Sequence, residues 1–382
     1  MTRPDLIVVG SGFFGATIAE QAATHLNKNV LVIEKRPHIG GNAFSYTHSE
    51  SEIEVHKYGI HIFHTSNKRV IDYISQFTEF NNYRHKVYSR YKNNLYSMPI
   101  NLHTICQIFG RDFSPKEARA FIENEIGESG VLDKEVEANL RNKGISLIGP
   151  TLYEAFIHGY SKKQWQMDPT LLPASTIARL PVRFNFDDNY FFDDFQGIPI
   201  DGYTSIFMKM LNHSRITTMT DTDFFDTKWA YNEDVPVVYT GPIDQYFAYK
   251  YGELNWRTLD FETKVYPVAD FQGASQINEA DENVPWTRTL EYRHLQVHRK
   301  FERDLSVVTR EYSRRAERSD EPFYPVNSDL DREMLLKYRK LASTLKNVVF
   351  GGRLGTYQYL DMHMAISSAL SCFEREVAPR FH

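Results

Sequence analysis

The glycines of Gly10-Ser11-Gly12-Phe13-Phe14-Gly15 constrain the fold of this chain more than any other feature of its sequence. They follow an apolar run, Leu6 to Val9, that predicts a buried strand, and they open the predicted helix Phe13 to Leu26. In that context the first glycine permits a tight turn, the second lets a pyrophosphate approach the backbone, and the third lets helix and strand pack closely. The pattern therefore predicts a dinucleotide-binding βαβ unit.

An acidic residue ends the second predicted strand, Asn29 to Glu34. Glu34 stands where a carboxylate would bind the ribose hydroxyls of an adenosine, while the pyrophosphate rests on the helix N-terminus. A cation and the glycine pair Gly40-Gly41 follow, and the pair would permit a second close approach to a long cofactor. This favours FAD over NAD and resembles the FAD-binding superfamily that includes amine oxidases. The alternative is that the glycine pair is only a loop.

Size and charge narrow the class of protein. A chain of 382 residues fits two or three domains. With 44 Lys+Arg against 49 Asp+Glu, the net charge of -5 offers no broad basic surface for nucleic acid. Cys106 and Cys372 are far apart and lack metal-site spacing, so zinc and disulfides are not expected and a cytoplasmic location is the default. No stretch approaches the ~18 apolar residues of a membrane span.

Three kinds of pattern follow one another along the chain. Helical periodicity dominates from Asn67 to Ile157, and short alternating strands, such as Asn189 to Phe192, run from Arg179 to Tyr312. Apolar strands at Asp234 to Gly241 and Asn347 to Gly355 return to the nucleotide-binding layer. The predicted fold class is therefore α/β: a Rossmann-type FAD-binding domain with an inserted helical domain and an antiparallel-sheet domain. The expected domain ranges are 1–66, 213–250 and 340–382 for the first, 67–175 for the second, and 176–212 with 251–339 for the third.

Several further segments carry a more specific resemblance. With the first glycine motif they reach His363 and cover essentially the whole chain, and in this combination the chain resembles the UDP-galactopyranose mutases of the bacterial type. The segments are 56–65, 159–165, 179–183, Asn189-Tyr190, 240–246, 283–288, 320–326 and 351–363.

The resemblance implies an isomerase that needs reduced FAD although its net reaction is not a redox reaction. UDP-galactopyranose and UDP-galactofuranose would interconvert through a covalent adduct between flavin N5 and the sugar. A homodimer, an external reductant such as NAD(P)H and a role in supplying galactofuranose to cell-wall or surface polysaccharide are also implied.

A departing diphosphate gains negative charge, so the site needs fixed cations, for which guanidinium groups are suited. Arg179 and Arg288 match the family's diphosphate-binding arginines and are candidate catalytic residues. The resemblance also assigns Tyr160 to uridine stacking and Trp165 to a mobile loop over the sugar. Further predicted substrate-binding residues are Tyr190, Asn278, Tyr324 and Tyr359.

On the flavin side, His61 and Gly59 match the strand beside the isoalloxazine ring, and His61 is a third catalytic candidate. Arg353 and Asp361 match the loop that closes over the ring, where Arg353 would stabilise an anionic reduced flavin. The full set of predicted cofactor-binding residues is Gly10, Gly12, Phe13, Phe14, Gly15, Glu34, Lys35, Gly41, Asn42, Gly59, His61, Ile62, Arg353, Tyr359, Asp361 and Met362.

Each of these residues also has a simpler interpretation. His61 is consistent with a half-buried structural histidine, Trp165 with a core residue, and Arg288 with an ion pair to Glu291. Arg179 is consistent with a surface residue before Pro181. The acidic pairs Asp187-Asp188 and Asp193-Asp194 suit a metal or acid/base site, but turn residues are favoured and no metal is expected.

Two positions depart from the family pattern. His85 stands near a position where many bacterial members carry Asn, and Gln166 follows Trp165 where Gly is more usual. Two other functions stay open: an amine-oxidase-like flavin oxidoreductase, which predicts an apolar substrate tunnel, and a non-catalytic flavoprotein that binds nucleotide sugars. The candidate arginines and tyrosines together favour an anionic nucleotide substrate over the apolar substrate of an oxidoreductase.

Overall fold

The computed structural model describes residues 3–131, 135–177, 182–231 and 234–381. The chain forms two compact units. The first consists of Met1–Asn82, Asp193–Trp256 and Pro322–His382, and the second of Tyr83–Phe192 and Arg257–Glu321.

A parallel five-stranded sheet forms the centre of the first unit. Its three central strands are short apolar runs, as expected for strands that are buried on both faces, while the edge strand Ile216–Met219 is partly exposed. In spatial order they are Val348–Phe350, Val237–Tyr239, Leu6–Val9, Val30–Ile33 and Ile216–Met219. Because all five run in the same direction, their carboxyl ends and the turns that follow them share one edge.

Helices and short antiparallel pairs complete the first unit. The strand Ser45–Thr47 pairs with Glu54–His56, and Phe63–Thr65 pairs with Phe195–Gly197. Two apolar cores join helices of this unit to the sheet. The helices are Phe13–His25, Lys68–Ile74, Gly202–Leu211, Ile243–Tyr246, Asp329–Ala342, Gly352–Thr356 and Met362–Cys372, and a further short strand is Tyr324–Pro325.

Glycine is required at both ends of the first turn. Gly10 has φ +97, and a Cβ there would lie 2.1 Å from Thr240 Oγ1. A Cβ on Gly15 would lie 2.0 Å from the carbonyl oxygen of Gly10. The first helix therefore begins directly against the end of the strand Leu6–Val9, and a side chain at Gly15 would force the two apart.

A mostly antiparallel sheet forms one side of the second unit. Gln276–Glu279 runs parallel to Val87–Tyr91, and the other pairings within this unit are antiparallel. The spatial order is Trp256–Tyr266, Ser306–Arg315, Arg288–Glu291, Gln276–Glu279, Val87–Tyr91 and Asn94–Met98.

Four helices of the second unit pack with this sheet around a separate apolar core. Asn101 and Ser114 cap two of them through reciprocal side-chain bonds, and Pro115 occupies the first turn of the second. The helices are Leu102–Phe109, Pro115–Glu128, Leu140–Tyr153 and Gly159–Trp165.

The predicted α/β fold class with a Rossmann-type sheet and an antiparallel sheet is confirmed. The expectation that helical periodicity dominates from Asn67 to Ile157 is wrong for part of that range, because Val87–Met98 is a β-hairpin. Lys92 and Asn93 both have positive φ, the geometry of a two-residue hairpin turn. Asn189 to Phe192, expected as a strand, is irregular. The three-domain boundaries remain a prediction.

No helix among the described residues is both long enough and apolar enough to span a lipid bilayer.

The Gly15→Ala substitution is expected to lower the free energy of unfolding by about 1–3 kcal/mol, the usual cost of overpacking, because the new methyl group meets backbone that cannot move aside. Gly127→Ala is the matched control: it lies in the helix Pro115–Glu128 with no atom within 4 Å of the added Cβ. That control should be stabilising by up to about 1 kcal/mol. Equal stability of the two variants in urea unfolding would contradict the close contact.

Candidate active site

Two glycine turns lie against each other at the carboxyl edge of the parallel sheet. A Cβ on Gly12 would lie 3.8 Å from Gly41 Cα, and a Cβ on Gly41, where φ is +57, would lie 3.1 Å from Gly12 Cα. The Gly40 amide donates to the backbone oxygen and the hydroxyl of Ser11, both at 3.2 Å. Bare backbone therefore lies at the start of the helix Phe13–His25, where amide groups attract an anion such as a dinucleotide pyrophosphate.

The carboxylate of Glu34 holds the first glycine turn. It accepts hydrogen bonds from Ser11 N at 2.9 Å, Ser11 Oγ at 2.7 Å and Arg36 N at 3.0 Å. The Arg36 guanidinium lies 4.4 Å from the Tyr58 ring centroid and donates to Asn42 Oδ1 at 2.8 Å. A carboxylate has about four acceptor positions, so Glu34 keeps capacity for a ribose hydroxyl.

Three predicted cofactor residues have side chains that are engaged elsewhere. Lys35 is largely exposed and its ammonium lies 3.7 Å from Asp223. Phe13 and Phe14 are buried in the apolar core, and the Phe13 ring lies 4.6 Å from that of Phe207. These positions offer backbone groups to a cofactor. The sequence pattern locates the turn correctly but does not distinguish backbone from side-chain contacts.

The ring of His61 is held in one tautomer. Its Nδ1 lies 2.8 Å from the Gly59 carbonyl oxygen, which only accepts, so Nδ1 carries the hydrogen and Nε2 is the acceptor. The His61 amide in turn donates to His56 Nδ1 at 3.1 Å. Burial, aided by the charge of Arg353, lowers the pKa of His61 to about 4. His61 is therefore neutral at pH 7, which favours a hydrogen-bonding role over proton donation.

Arg353 contacts several segments in the carboxyl-terminal part of the first unit. It donates to Leu360 O at 2.7 Å and to Phe323 O at 3.3 Å, and its guanidinium lies 4.7 Å from the Tyr359 ring centroid. The rings of Tyr324 and Tyr359 are stacked at 5.8 Å. Burial, with Tyr324 and Asp361 nearby, raises the pKa of Tyr359, so its hydroxyl stays protonated. Arg353, Asp361, Tyr324 and Tyr359 are thus brought together.

Three side chains of the first unit that could act as metal ligands lie close to one another. Possible ligand atoms of His64, Asp361 and His363 lie within 4.8 Å of one another. His64 Nδ1 is already bonded to Asp193 at 2.7 Å, and Ser66 donates to the same carboxylate at 3.2 Å. Asp193 therefore serves as a hydrogen-bond partner of His64.

In the second unit, the strand register places Asn278, Arg288 and Glu311 in one row, directly opposite one another on neighbouring strands. Arg288 Nε donates to Tyr160 Oη at 2.9 Å, and Nη1 lies 3.5 Å from Glu311 Oε2. Arg288 pairs with Glu311, so the Glu291 pairing considered from the sequence is wrong: Glu291 instead accepts from the amides of Phe271 and Gln272.

Glu311 is not among the predicted site residues, although the strand register makes it the fixed partner of Arg288. Burial raises the pKa of Glu311, and the neighbouring Arg288 opposes that rise. Glu311 stands between Arg310 and Tyr312 in a mixed polar segment, so the sequence carries no distinct signal and only the strand pairing identifies its partner. The cation of Arg288, the amide of Asn278 and the hydroxyl of Tyr160 on the adjacent helix form a set that suits a nucleotide, with Glu311 as the partner of the cation.

Trp165 does not lie on a loop. Both Tyr160 and Trp165 belong to the helix Gly159–Trp165, and Trp165 is partly buried against the core of the second unit. Gln166 ends the helix with φ +50, a left-handed position that favours glycine. The core interpretation of Trp165 thus fits better than the mobile-loop interpretation.

Tyr190 belongs to a cluster of rings in the second unit. Its ring lies 5.3 Å from that of His85 and 5.1 Å from that of Phe191. His85 is buried, and its Nδ1 lies 3.0 Å from the Tyr83 hydroxyl. Of the nearby acidic residues, Asp187 accepts from Asn189 N, and Asp188 pairs with Lys86. Turn and ion-pair roles therefore account for these two carboxylates. Arg179 lies outside the described residues.

The buried histidines predict acid sensitivity. Burial lowers the pKa of His56 to about 3 and that of His61 to about 4, from an ordinary 6.5. The unfolded chain binds their protons near pH 6.5 and the folded chain does not, so stability falls as pH drops below 6.5. Each residue contributes at most about 1.4 kcal/mol per pH unit.

His56→Gln keeps an acceptor for the His61 amide and should reduce this pH slope, measured by urea unfolding between pH 7.5 and 4.5. His103→Gln, at an exposed position, is the control and should leave the slope as in the wild type. A slope in His56→Gln that equals the control's would show that His56 does not carry the effect.

Residues 155–359 match the family model described as UDP-galactopyranose mutase, and residues 8–77 match that of a Rossmann-like NAD(P)-binding domain. A protein of Klebsiella pneumoniae named as a probable UDP-galactopyranose mutase is 41% identical over 97% of this chain and 94% of its own length. The dTDP-fucopyranose mutase of Escherichia coli is 39% identical over 96% of this chain and 97% of its own length.

Among solved structures, that of a reduced UDP-galactopyranose mutase superposes with a TM-score of 0.76. The match covers 99% of this chain and 95% of the other, at 12% identity. At that identity the likeness concerns the fold alone.

Proposed function

We propose that this chain, which belongs to the UDP-galactopyranose mutase family, interconverts UDP-galactopyranose and UDP-galactofuranose with reduced FAD as its cofactor. The observation that carries the proposal is that Tyr160, Asn278 and Arg288, three predicted nucleotide-binding residues, lie together, with Tyr160 bonded to Arg288 and Asn278 opposite it. An isomerase of this kind needs a fixed cation for a departing diphosphate, and Arg288 supplies one.

The residues of the first unit fit FAD. The facing glycines Gly12 and Gly41 leave room at the start of a helix for the pyrophosphate, and Glu34 provides an acceptor for the adenosine ribose. When bound, reduced FAD supplies a nucleophilic nitrogen for the anomeric carbon of the sugar. The positive charge of Arg353 would favour an anionic reduced ring, while neutral His61 offers an acceptor at Nε2.

In the second unit, two contacts orient the guanidinium of Arg288. The Tyr160 hydroxyl oxygen accepts a hydrogen bond from Arg288 Nε, and Glu311 pairs with Nη1. A guanidinium that is already oriented does not need to change its position when a diphosphate binds. Its electrostatic stabilisation of the anion is therefore large. We assign Arg179 to the same anion, and Tyr190, Tyr324 and Tyr359 to neutral hydrogen bonds with the substrate.

The identity to the dTDP-fucopyranose mutase makes dTDP-fucopyranose a second candidate substrate. Both candidates carry a nucleoside diphosphate on a hexose, so Arg288 suits either. We also propose that the enzyme works as a homodimer and takes electrons from an external reductant such as NAD(P)H.

The test is incubation of the purified yellow protein with UDP-galactofuranose, with and without dithionite, followed by chromatography of the sugar nucleotides. Conversion to UDP-galactopyranose only after reduction is the expected result. A parallel incubation with dTDP-fucopyranose ranks the two substrates. No conversion in either state, with oxygen consumed on amines, would support the oxidoreductase instead.

Arg288→Ala and Arg179→Ala are each expected to lower kcat/KM at least about a hundredfold, because each removes a fixed charge that stabilises the leaving diphosphate. Both variants should retain FAD, measured by its absorbance. Arg332→Ala is the control for loss of an arginine: it lies on the helix Asp329–Ala342, where it pairs with Asp329. Near-normal turnover in either test variant would remove that residue from the mechanism.

A further inference from the structure

The helix that carries Tyr160 lies in close contact with the turn between two strands of the predicted nucleotide site. This turn, Ala280–Thr287, links the strand of Asn278 to the strand of Arg288. A Cβ on Gly159 would lie 2.3 Å from Ala280 O and 3.0 Å from Glu282 N. Only glycine lets the helix approach the turn this closely, so the two segments are positioned together.

Lys163 stabilises this contact between the helix and the turn. Its half-buried ammonium donates to three backbone carbonyls: Glu279 O at 2.6 Å, Asp281 O at 2.7 Å and Trp286 O at 3.0 Å. An ammonium has three hydrogens, so every donor is used. The accepting carbonyls lie at both ends of the turn, and one side chain therefore ties its two ends to each other and to the helix.

The three hydrogen bonds of Lys163 form a clamp on the turn. The spacing of Lys163 and Tyr160 links this clamp to the proposed nucleotide site. Residues three apart share a helix face, so both point toward the same hairpin. Tyr160 accepts from the Arg288 side chain while Lys163 holds the main chain two residues before Arg288. The neighbouring Lys162 is exposed and pairs with Glu282 at 2.8 Å.

We infer that Lys163 is a positioning residue for nucleotide binding, which fixes the turn Ala280–Thr287 so that Tyr160, Asn278 and Arg288 meet the nucleoside diphosphate together. The inference rests on the proposed function, since it takes these three residues as the nucleotide site. The Lys163 ammonium donates to backbone carbonyl oxygens, so it acts on binding through the backbone.

The chemistry of the ammonium provides a pH signature. Burial lowers the pKa of Lys163 to about 8, while Glu279, Asp281 and Glu282 oppose the change. Of these, Glu279 also lies 3.4 Å from Arg90. A neutral amine has two hydrogens, so one carbonyl loses its donor as pH rises through about 8. Nucleotide affinity of the wild type should therefore weaken above that pH.

The experiment measures the Kd of UDP, together with KM and kcat, at pH 7 and pH 8.8 for the FAD-bound wild type, Lys163→Met, Lys163→Arg and Lys162→Met. At pH 7, Lys163→Met should raise Kd and KM about tenfold, as expected when buried carbonyls lose their donors. Its kcat and FAD content should stay within about twofold. Lys163→Arg should recover part of the affinity, and Lys162→Met should behave as the wild type.

At pH 8.8 the ratio of Kd between Lys163→Met and the wild type should fall, because the wild type loses part of the same clamp. A Lys163→Met variant with wild-type Kd at pH 7 would overturn the inference, and so would a ratio that does not change with pH. A wild type that binds no UDP would contradict the proposed function itself. If Lys163→Met does not fold, Lys163→Arg and the wild-type pH profile still decide the matter.

Discussion

Backbone contacts that only glycine permits hold the start of the first helix against the end of the strand Leu6–Val9. Gly15 meets the carbonyl of Gly10, and Gly12 faces Gly41 across a gap that a side chain would narrow. These contacts set the direction of the helix N-terminus and leave room for a pyrophosphate. They also fix the position of Glu34, whose carboxylate accepts two hydrogen bonds from Ser11 in the same turn. The cofactor half of the protein depends on this arrangement.

The proposed nucleotide site depends on strand register. Asn278, Arg288 and Glu311 share a row because three strands pair in one alignment, and a shift by one residue would turn every side chain of the shifted strand to the opposite face. Two further anchors hold this register near the helix Gly159–Trp165: the Tyr160 hydroxyl on Arg288, and the Lys163 ammonium on the turn. The proposed nucleotide binding and the fold would thus depend on the same contacts.

Features that depend on local sequence could be predicted, and features that depend on distant partners could not. Apolar runs and turn residues predict the glycine turn, the position of Glu34 and the two returning strands, Val237–Tyr239 and Val348–Phe350. The hairpin at Lys92 and Asn93 was missed because its turn has no glycine, although both residues adopt positive φ. Glu311 and Lys163 were missed because their partners are set by strand pairing and by backbone carbonyls, which no motif records.

The central claim is that reduced flavin is required although the reaction consumes no electrons. The most direct test reduces the FAD-bound protein once, anaerobically, removes the excess reductant and then adds UDP-galactofuranose. The account predicts many molecules of UDP-galactopyranose per flavin, with the flavin still reduced at the end. One product per flavin together with reoxidation of the flavin would contradict it and identify an oxidoreductase.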